Sequence, residues 1–400
     1  MTMRISTALL HSQGLQGLLQ RQQGLARTQQ EMISGSKLLS AADDPAAFAN
    51  AQRLDHAVAA LEQYERNSGV VGHRLRLQEQ SLDDAGDVLI RARELAIQAN
   101  SGALSDPDRA AIAAELRSLR EGMLGIANRD DGAGRRLFAG TRDGVVPFVD
   151  TGDAVSYAGN DGHNDIDIAA DLAVADADPG SDVFMRVRTG DGEIRGRAGA
   201  GNTGNGVLQS SGVTDHAAWG GASLTVQFTA ADTYQVVDAG GAVLATGTYV
   251  ADSAIAAGGV QLELTGSPAA GDSFTVERAP TRDVFATLDR LADALEAPAA
   301  TAAERARRDN VVSASIADLG TAQNHMLGVR AGTGNRLATL DATADARSAE
   351  DVSLSSTLSS LRDVDYAEAA TQLSLHLTAL EAAQRTMVRV QGLSLFDALR

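Results

Sequence analysis

The chain has 400 residues, 44% of them hydrophobic but only 4% aromatic, with a formal net charge of −18 and a pI near 4.7. That size and apolar content suit two or three domains with buried cores and exclude wholesale disorder. The acidic balance excludes nucleic acid and an anionic membrane surface as partners, and the absence of cysteine excludes disulfides and thiolate metal sites.

The amino-terminal "MTMRISTALLHSQG" turns polar at His11. It lacks the continuous apolar region and small-residue cleavage site of a Sec leader, so any export is expected to take another route. No stretch approaches the ~20 apolar residues of a membrane span, and no membrane insertion is expected. Within the first forty residues Leu18, Leu25, Met32 and Leu39 recur every seven positions, flanked by Leu15, Leu19 and Ile33. This spacing predicts a helix with one narrow apolar seam, too little to be stable without a partner.

After Gly35 comes Ser40-Ala-Ala-Asp43-Asp44-Pro45. Asp44 can accept from orphan backbone N–H groups, and Pro45 at the first helical position loses no hydrogen bond, so a second helix is predicted to begin there. Its seam reads Ala47, Leu54, Leu61, Ser68, Leu75, Leu82, Leu89 and Ala96, with a soft spot near Gly69 and Gly72. Ser105-Asp-Pro107-Asp108 opens a third helix by the same chemistry, with Ile112, Leu116, Leu119, Met123 and Ile126 on one side and a stop near Asp131 to Gly134.

From about residue 137 to 280 short β-type runs alternate with Gly, Asp and Asn clusters: Val183–Val187, Leu224–Phe228, Tyr234–Val237 and Phe274–Val276, with a hairpin turn at Asp238–Gly241. Residues 146–280 hold 18 Asp and Glu against five Arg, so this segment carries −13 of the total −18. Helical signals return at Thr281 and run through Leu288, Leu291 and Leu295. Thr301-x-x-Glu304 is a capping box that opens a long helix, in which Gly328, Gly332 and Gly334 predict a kink or short break. A last seam follows at Leu373, Leu377, Leu380, Met387 and Val390, with Leu395 in an apolar cluster from Leu393 to Leu399.

The expected fold is mainly α with an inserted β-rich domain: a long antiparallel helical bundle or coiled-coil rod built from both chain ends. Residues 1–42 would pair with 362–400 as an inner layer, 43–145 plus 281–361 would form a helical rod domain, and 146–280 an outer β-rich domain. The seam positions, Leu15, Leu18, Leu25, Met32 and Leu39 at one end and Leu373, Leu377, Leu380, Met387, Val390 and Leu395 at the other, are the candidate subunit interface. Asp43, Asp44 and Pro45 are the candidate joint between layers.

Signals for small-molecule chemistry are weak. "GAGNTG", Gly199–Gly204, matches G-x-G-x-x-G but is followed by more glycine rather than a helix, which favours a surface turn over a nucleotide loop. "GNDGHNDID", Gly159–Asp167, with Asp176, Asp178 and Asp182, offers oxygen ligands for calcium without EF-hand spacing. The seven histidines have no partner at helical ligand spacing, and no serine sits in a G-x-S-x-G elbow. No catalytic residue, metal or cofactor is expected.

"ISGSKLLSAADDPAAF" (Ile33–Phe48) and "DYAEAATQLSLHLTALEAAQRTMVRVQGLSLFDAL" (Asp365–Leu399) resemble the terminal signatures of the flagellin-like axial proteins of bacterial flagella. Asp43-Asp44-Pro45, "LFAGTRDGVVPF" (Leu137–Phe148), "YAGNDG", "NTGNGV" and "GSPAAGDSFTVE" are most similar to the hook-associated protein 3 branch. The resemblance implies a structural role at the hook–filament junction, outside the cell, beside hook-associated protein 1 and flagellin, with self-association in a ring or tube layer. It also implies type III export without a cleaved signal and a cytoplasmic export chaperone that binds the carboxy-terminal helix. A filament flagellin is the nearest alternative. A secreted calcium-dependent adhesin or glycan-active protein using the acidic domain is the alternative of another class.

Overall fold

A computed structural model describes residues 7–101, 104–152 and 154–398 of the chain, and their side chains from residue 12 to residue 389. Among the described residues the helices are α1 (Thr7–Ser34), α2 (Pro45–Ala99), α3 (Asp106–Ala127), the single turn α4 (His216–Trp219), α5 (Val284–Glu296), α6 (Ala302–Arg362) and α7 (Tyr366–Ala398). The chain divides into two compact units, Met1–Glu65 with Ala344–Arg400, and Arg66–Thr343.

Local chemistry sets the helix starts. Asp44 Oδ1 accepts from the N–H groups of Ala46 (3.0 Å) and Ala47 (2.9 Å), and Pro45 takes the first position of α2. Ser105 and Asp108 form a reciprocal capping box on α3. On α6 the Thr301 N–H donates to Glu304 Oε2 (2.8 Å) while the Glu304 N–H donates to Thr301 Oγ1 (3.2 Å).

In the unit Arg66–Thr343, the helical core gathers Leu82, Leu89, Leu95, Leu116, Met123, Leu288, Leu291, Val312 and Leu319, all buried. The segment Leu137–Phe148 is anchored in this core. Phe138 and Phe148 both meet the Phe184 ring edge-on, at 5.1 and 5.4 Å between centroids, and Phe148 also meets Phe285 at 5.6 Å. Two antiparallel sheets enclose a second core around Trp219, Phe228, Leu262, Leu264 and Phe274. One has five strands in the order Val243–Thr248, Thr233–Asp238, Leu224–Ala230, Ser273–Arg278, Ile194–Ala198; the other has three, Ala254–Ala257, Val260–Thr265, Val207–Val213. The Asp238 carboxylate accepts from the N–H groups of Gly240 and Ala242 and closes the turn between Thr233–Asp238 and Val243–Thr248.

Asp318 of α6 ties sheet to helix. Its carboxylate pairs with Arg195 and Arg282, each at 2.9 Å, and accepts the Gly190 N–H at 2.7 Å. Asn310, about two turns earlier on α6, holds Leu208 N–H (2.8 Å) and Gly206 C=O (2.9 Å).

Four expectations are corrected. Val183–Val187 is no strand through most of its length: Ser181–Met185 forms a π-type turn, with Arg186 N–H donating to Ser181 C=O at 3.0 Å, because Val183 and Phe184 are drawn inward by the aromatic cluster. Helix α5 starts at Val284 rather than Thr281, since Asp283 is its cap and Thr281–Arg282 pairs as a strand with Val187–Arg188. Helix α3 ends at Ala127, ahead of Asp131. No break interrupts α6 at Gly328–Gly334; Arg330 pairs with Glu79 (2.6 Å) and Asp83 (2.7 Å), and Thr333 is buried against Gln78 (2.7 Å), so packing overrides the low helix propensity of glycine. At Gly199–Gly204 the chain turns between two strands, with Thr203 and Gly204 N–H groups donating to Asp272.

Candidate assembly surface

The terminal unit pairs α1 with α7, and glycines on and just after α1 face side chains of α7. A Cβ on Gly14 would lie 3.5 Å from Met387 Sδ, on Gly24 3.2 Å from His376 Cε1, and on Gly35 3.3 Å from the Tyr366 hydroxyl. The pairings run in opposite directions along the sequence, so the helices are antiparallel.

This pair buries little. Of the described α1 and α7 side chains only Thr28 and Ala369 are buried. Leu18, Leu25, Met32, Leu373, Leu380 and Met387 are half-buried. Leu15 and Leu377 stay 49% and 44% exposed, and Ile33, Leu375 and Val388 stay 88%, 65% and 69% exposed. Val390 and Leu395 belong to α7, but their side chains lie outside the described residues. The same shortfall is written along α2: on one heptad seam Ala47, Leu54 and Leu61 are half-buried, whereas Leu75, Leu82, Leu89 and Ala96 are fully buried. Two antiparallel helices can cover one stripe each, and the rest of an apolar face needs further neighbours.

Leu39 corrects the seam expectation. Helix α1 ends at Ser34, Gly35 takes a left-handed conformation (φ +71°), and Leu39 lies half-buried on the segment after it rather than on the helix. That segment pairs with the short link between α6 and α7. Ser36 and Asp363 form an antiparallel bridge, with Lys37 N–H donating to Arg362 C=O (2.7 Å) and Val364 N–H to Gly35 C=O (3.1 Å). Lys37 Nζ reaches Ser360 C=O at 2.6 Å. Asp365 then caps α7 by accepting from Ala367 N–H (2.9 Å) and Glu368 N–H (3.2 Å). Both chain ends therefore interrupt their helices at one level and are stitched together there. Sequence reading found Asp43–Pro45 but missed Ser36, Lys37 and Asp363, whose pairing partner lies more than 300 residues away; Gly35 was the available signal.

Gly35→Ala is expected to strain this stitch, because a Cβ in the left-handed region costs about 1–2 kcal/mol. Amide exchange at Lys37 and Val364 should then accelerate by roughly 5- to 30-fold; unchanged rates would show that the left-handed turn is dispensable.

Asp43 holds the turn that leads into α2. Its Oδ2 accepts the Ser40 N–H at 2.8 Å, and its Oδ1 lies 3.2 Å from Arg27. The Ser40 N–H, helped by Arg27 and opposed by partial desolvation, keeps the Asp43 carboxyl below its ordinary value of 3.8. A lowered folded value means the contribution is complete above 3.8 and is lost as pH falls through the folded value. An NMR titration is expected to find the Asp43 midpoint below 3.8, and a midpoint at or above it would contradict the geometry.

Four of the six aspartates that offered calcium ligands are engaged by arginine instead. Asp161 and Asp182 both pair with Arg186 (2.8 and 2.9 Å), Asp176 with Arg74 (2.8 Å), and Asp178 with Arg336 and Gln78. Among the described residues no group of three or more His, Cys, Asp and Glu is placed to hold a metal ion, and no helix is long and apolar enough to cross a membrane.

Comparison with known proteins matches residues 5–143 to the bacterial flagellin N-terminal helical region and residues 316–399 to the bacterial flagellin C-terminal helical region. The chain is similar to flagellar hook-associated protein 3 of Escherichia coli K12, 32% identical over 146 residues, which are 36% of this chain and 46% of that protein. The match thus spans about half the length of the curated relatives. Among solved structures it is similar to Xanthomonas campestris FlgL, with 42% identity, a TM-score of 0.72, and coverage of 76% of this chain and 99% of that one. It is also similar to the flagellar junction protein FlgL from Legionella pneumophila, with 27% identity, a TM-score of 0.70, and coverage of 79% and 100%.

Proposed function

The chain belongs to the flagellar hook-associated protein 3 (FlgL) family, and from that premise we propose that it is a non-enzymatic axial protein of the bacterial flagellum that joins the hook to the filament. The observation that carries the proposal is the terminal unit's unfinished burial, with Leu15, Ile33, Leu375, Leu377 and Val388 left in solvent on a helix pair matched by the family. Large apolar side chains left exposed along both helices of a pair, on an otherwise acidic chain, are what further protein neighbours would cover. Copies ringed around a tube meet through two different faces and supply each other's missing surface. The interface then comprises Leu15, Leu18, Leu25, Met32, Leu373, Leu377, Leu380 and Met387, with Val390 and Leu395 continuing the α7 seam, and with Leu39 at the stitched joint.

In this reading Asp43, Asp44 and Pro45 form the joint between an inner layer, residues 1–42 with 362–400, and a helical layer, 43–145 with 281–361. Residues 146–280 form the outer domain. Its neighbours are hook-associated protein 1 on the hook side and flagellin on the filament side. The chain is exported through the flagellar type III channel without a cleaved signal, and a cytoplasmic chaperone covers the carboxy-terminal helix beforehand. Hiding the exposed apolar positions of α7 until assembly is the physical need such a chaperone meets.

Purified protein added to isolated hooks is expected to form one bounded layer, and a null strain to carry hooks without filaments. Open-ended growth of a filament from those hooks would overturn the junction assignment in favour of a filament subunit.

A further inference from the structure

In the unit Arg66–Thr343, a cavity of about 720 Å³ opens where strand Ile194–Ala198 faces α5 and α6, and its walls carry four arginines: Arg195 and Arg197 from the strand, Arg290 from α5 and Arg307 from α6. This is unusual in a segment where 18 acidic residues outnumber five arginines, since two of those five converge here. The two acidic wall residues are already engaged. Asp318 is held by Arg195, Arg282 and the Gly190 N–H, and Asp191 Oδ1 accepts from the N–H groups of Glu193 (2.8 Å) and Ile194 (2.7 Å).

The guanidiniums of Arg197, Arg290 and Arg307 have no ion-pair or hydrogen-bond partner among the described residues. Although Arg290 as a residue is exposed, its guanidinium loses part of its hydration. That desolvation, with repulsion from Arg282 and Arg197 and against the pull of Asp318, lowers its pKa. Like charges crowded in a partly desolvated site gain from a counter-charge between them. The walls also offer hydroxyls, among them Ser211 and Ser273, and the buried Ser313 Oγ has no hydrogen-bond partner. No aromatic ring lines the cavity, so nothing is placed to stack on a nucleobase or a sugar face.

We infer that this cavity binds a small polyvalent oxyanion, a phosphorylated or polycarboxylate solute, held by Arg197, Arg290 and Arg307 with the wall hydroxyls completing its hydrogen bonds. The volume lies in the range of small-molecule sites, and a planar guanidinium fork matches carboxylate and phosphate oxygens alike. Because the three arginines come from a strand and two helices, a bound anion clips the sheet to the helices and raises stability by mass action.

The test is calorimetric titration and thermal melting of the full-length chain with inorganic phosphate and with citrate, against sodium chloride at equal ionic strength. One or both probes are expected to bind and to raise the melting temperature above the chloride control; phosphate alone indicates a phosphoryl ligand and citrate alone a carboxylate one. Arg290→Gln and Arg307→Gln, both at exposed positions, should keep the parent's melting temperature in chloride and weaken binding roughly tenfold or more. Arg385→Gln on α7, remote in sequence and 86% exposed, should leave affinity unchanged. Failure of both probes to bind beyond the chloride control, or binding that survives both cavity variants, overturns the inference. So does self-association that needs Arg290 and Arg307 while neither probe binds, because another copy's acidic surface would then be the occupant.

Discussion

A chain lacking residues 1–40 and 365–400 is expected to remain a folded, soluble monomer and to lose entry into the flagellum altogether, so that a null strain carrying it stays non-motile. Every member of the three buried apolar clusters lies between Val71 and Leu340, outside the deleted segments. The core free energy is therefore retained. The deleted helices contribute little to a lone molecule: ordering each residue costs about 1–2 kcal/mol, and side chains that stay half in water return only part of the ~1.5–3 kcal/mol that full burial of a large aliphatic gives. Light scattering and near-UV circular dichroism check the first half of this expectation and swimming assays the second. Restored motility would mean that the terminal helices are not the assembly surface.

Arg74→Met is expected to destabilise the unit Arg66–Thr343 by about 3–5 kcal/mol, because it removes one partner from a buried ion cluster and leaves the others uncompensated. The Arg74 side chain is 1% exposed and lies 2.8 Å from both Asp131 Oδ2 and Asp176 Oδ2, carboxylates that are themselves 7% and 2% exposed. Asp131 keeps its backbone donors at Ala133 and Arg135, but Asp176 loses its nearest cation and retains Arg135 only at 4.0 Å. Burial already raises the Asp176 carboxyl above its ordinary value, against the pull of Arg74 and Arg135. A carboxyl raised in the folded state binds its proton more tightly there than in the unfolded chain, so acidification favours the folded form. The deficit of the variant should accordingly be largest at neutral pH and shrink as pH falls through the raised value. Urea denaturation of parent and variant at several pH values measures this; a deficit below about 1 kcal/mol at neutral pH would contradict the cluster's role.

What the sequence made legible and what it hid follow the range of the interactions involved. Caps at Asp44, Ser105 and Thr301 are readable because donor and acceptor lie within three residues of each other. The heptad seam of α2 is readable as well, but its change from half-buried at Leu61 to fully buried at Leu75 is not, since that depends on how many other helices stand alongside. The π-type turn at Ser181–Met185 contradicts a run of strand-forming residues because Phe184 answers to Phe138 and Phe148, rings some forty positions earlier. Glycines at 328–334 suggested a break that buried Thr333 and the Arg330 ion pairs suppress. Arg74 left one usable trace: it shares a helix face with Val71, Leu75 and Gln78, and a charge set among apolar positions announces a buried partner without naming it. The arginine cavity left none, its four guanidiniums being brought together only by the seating of the sheet on the helices.

Hydrogen exchange over residues 12–34 and 366–389, compared between dilute monomer and the protein seated on hooks, addresses the account at its root. The expected result is rapid exchange in the lone molecule and slow exchange once neighbours cover Leu15, Leu375, Leu377 and Val388. Strong protection of both helices in dilute solution would mean that the monomer completes its own core, and assembly would need another surface.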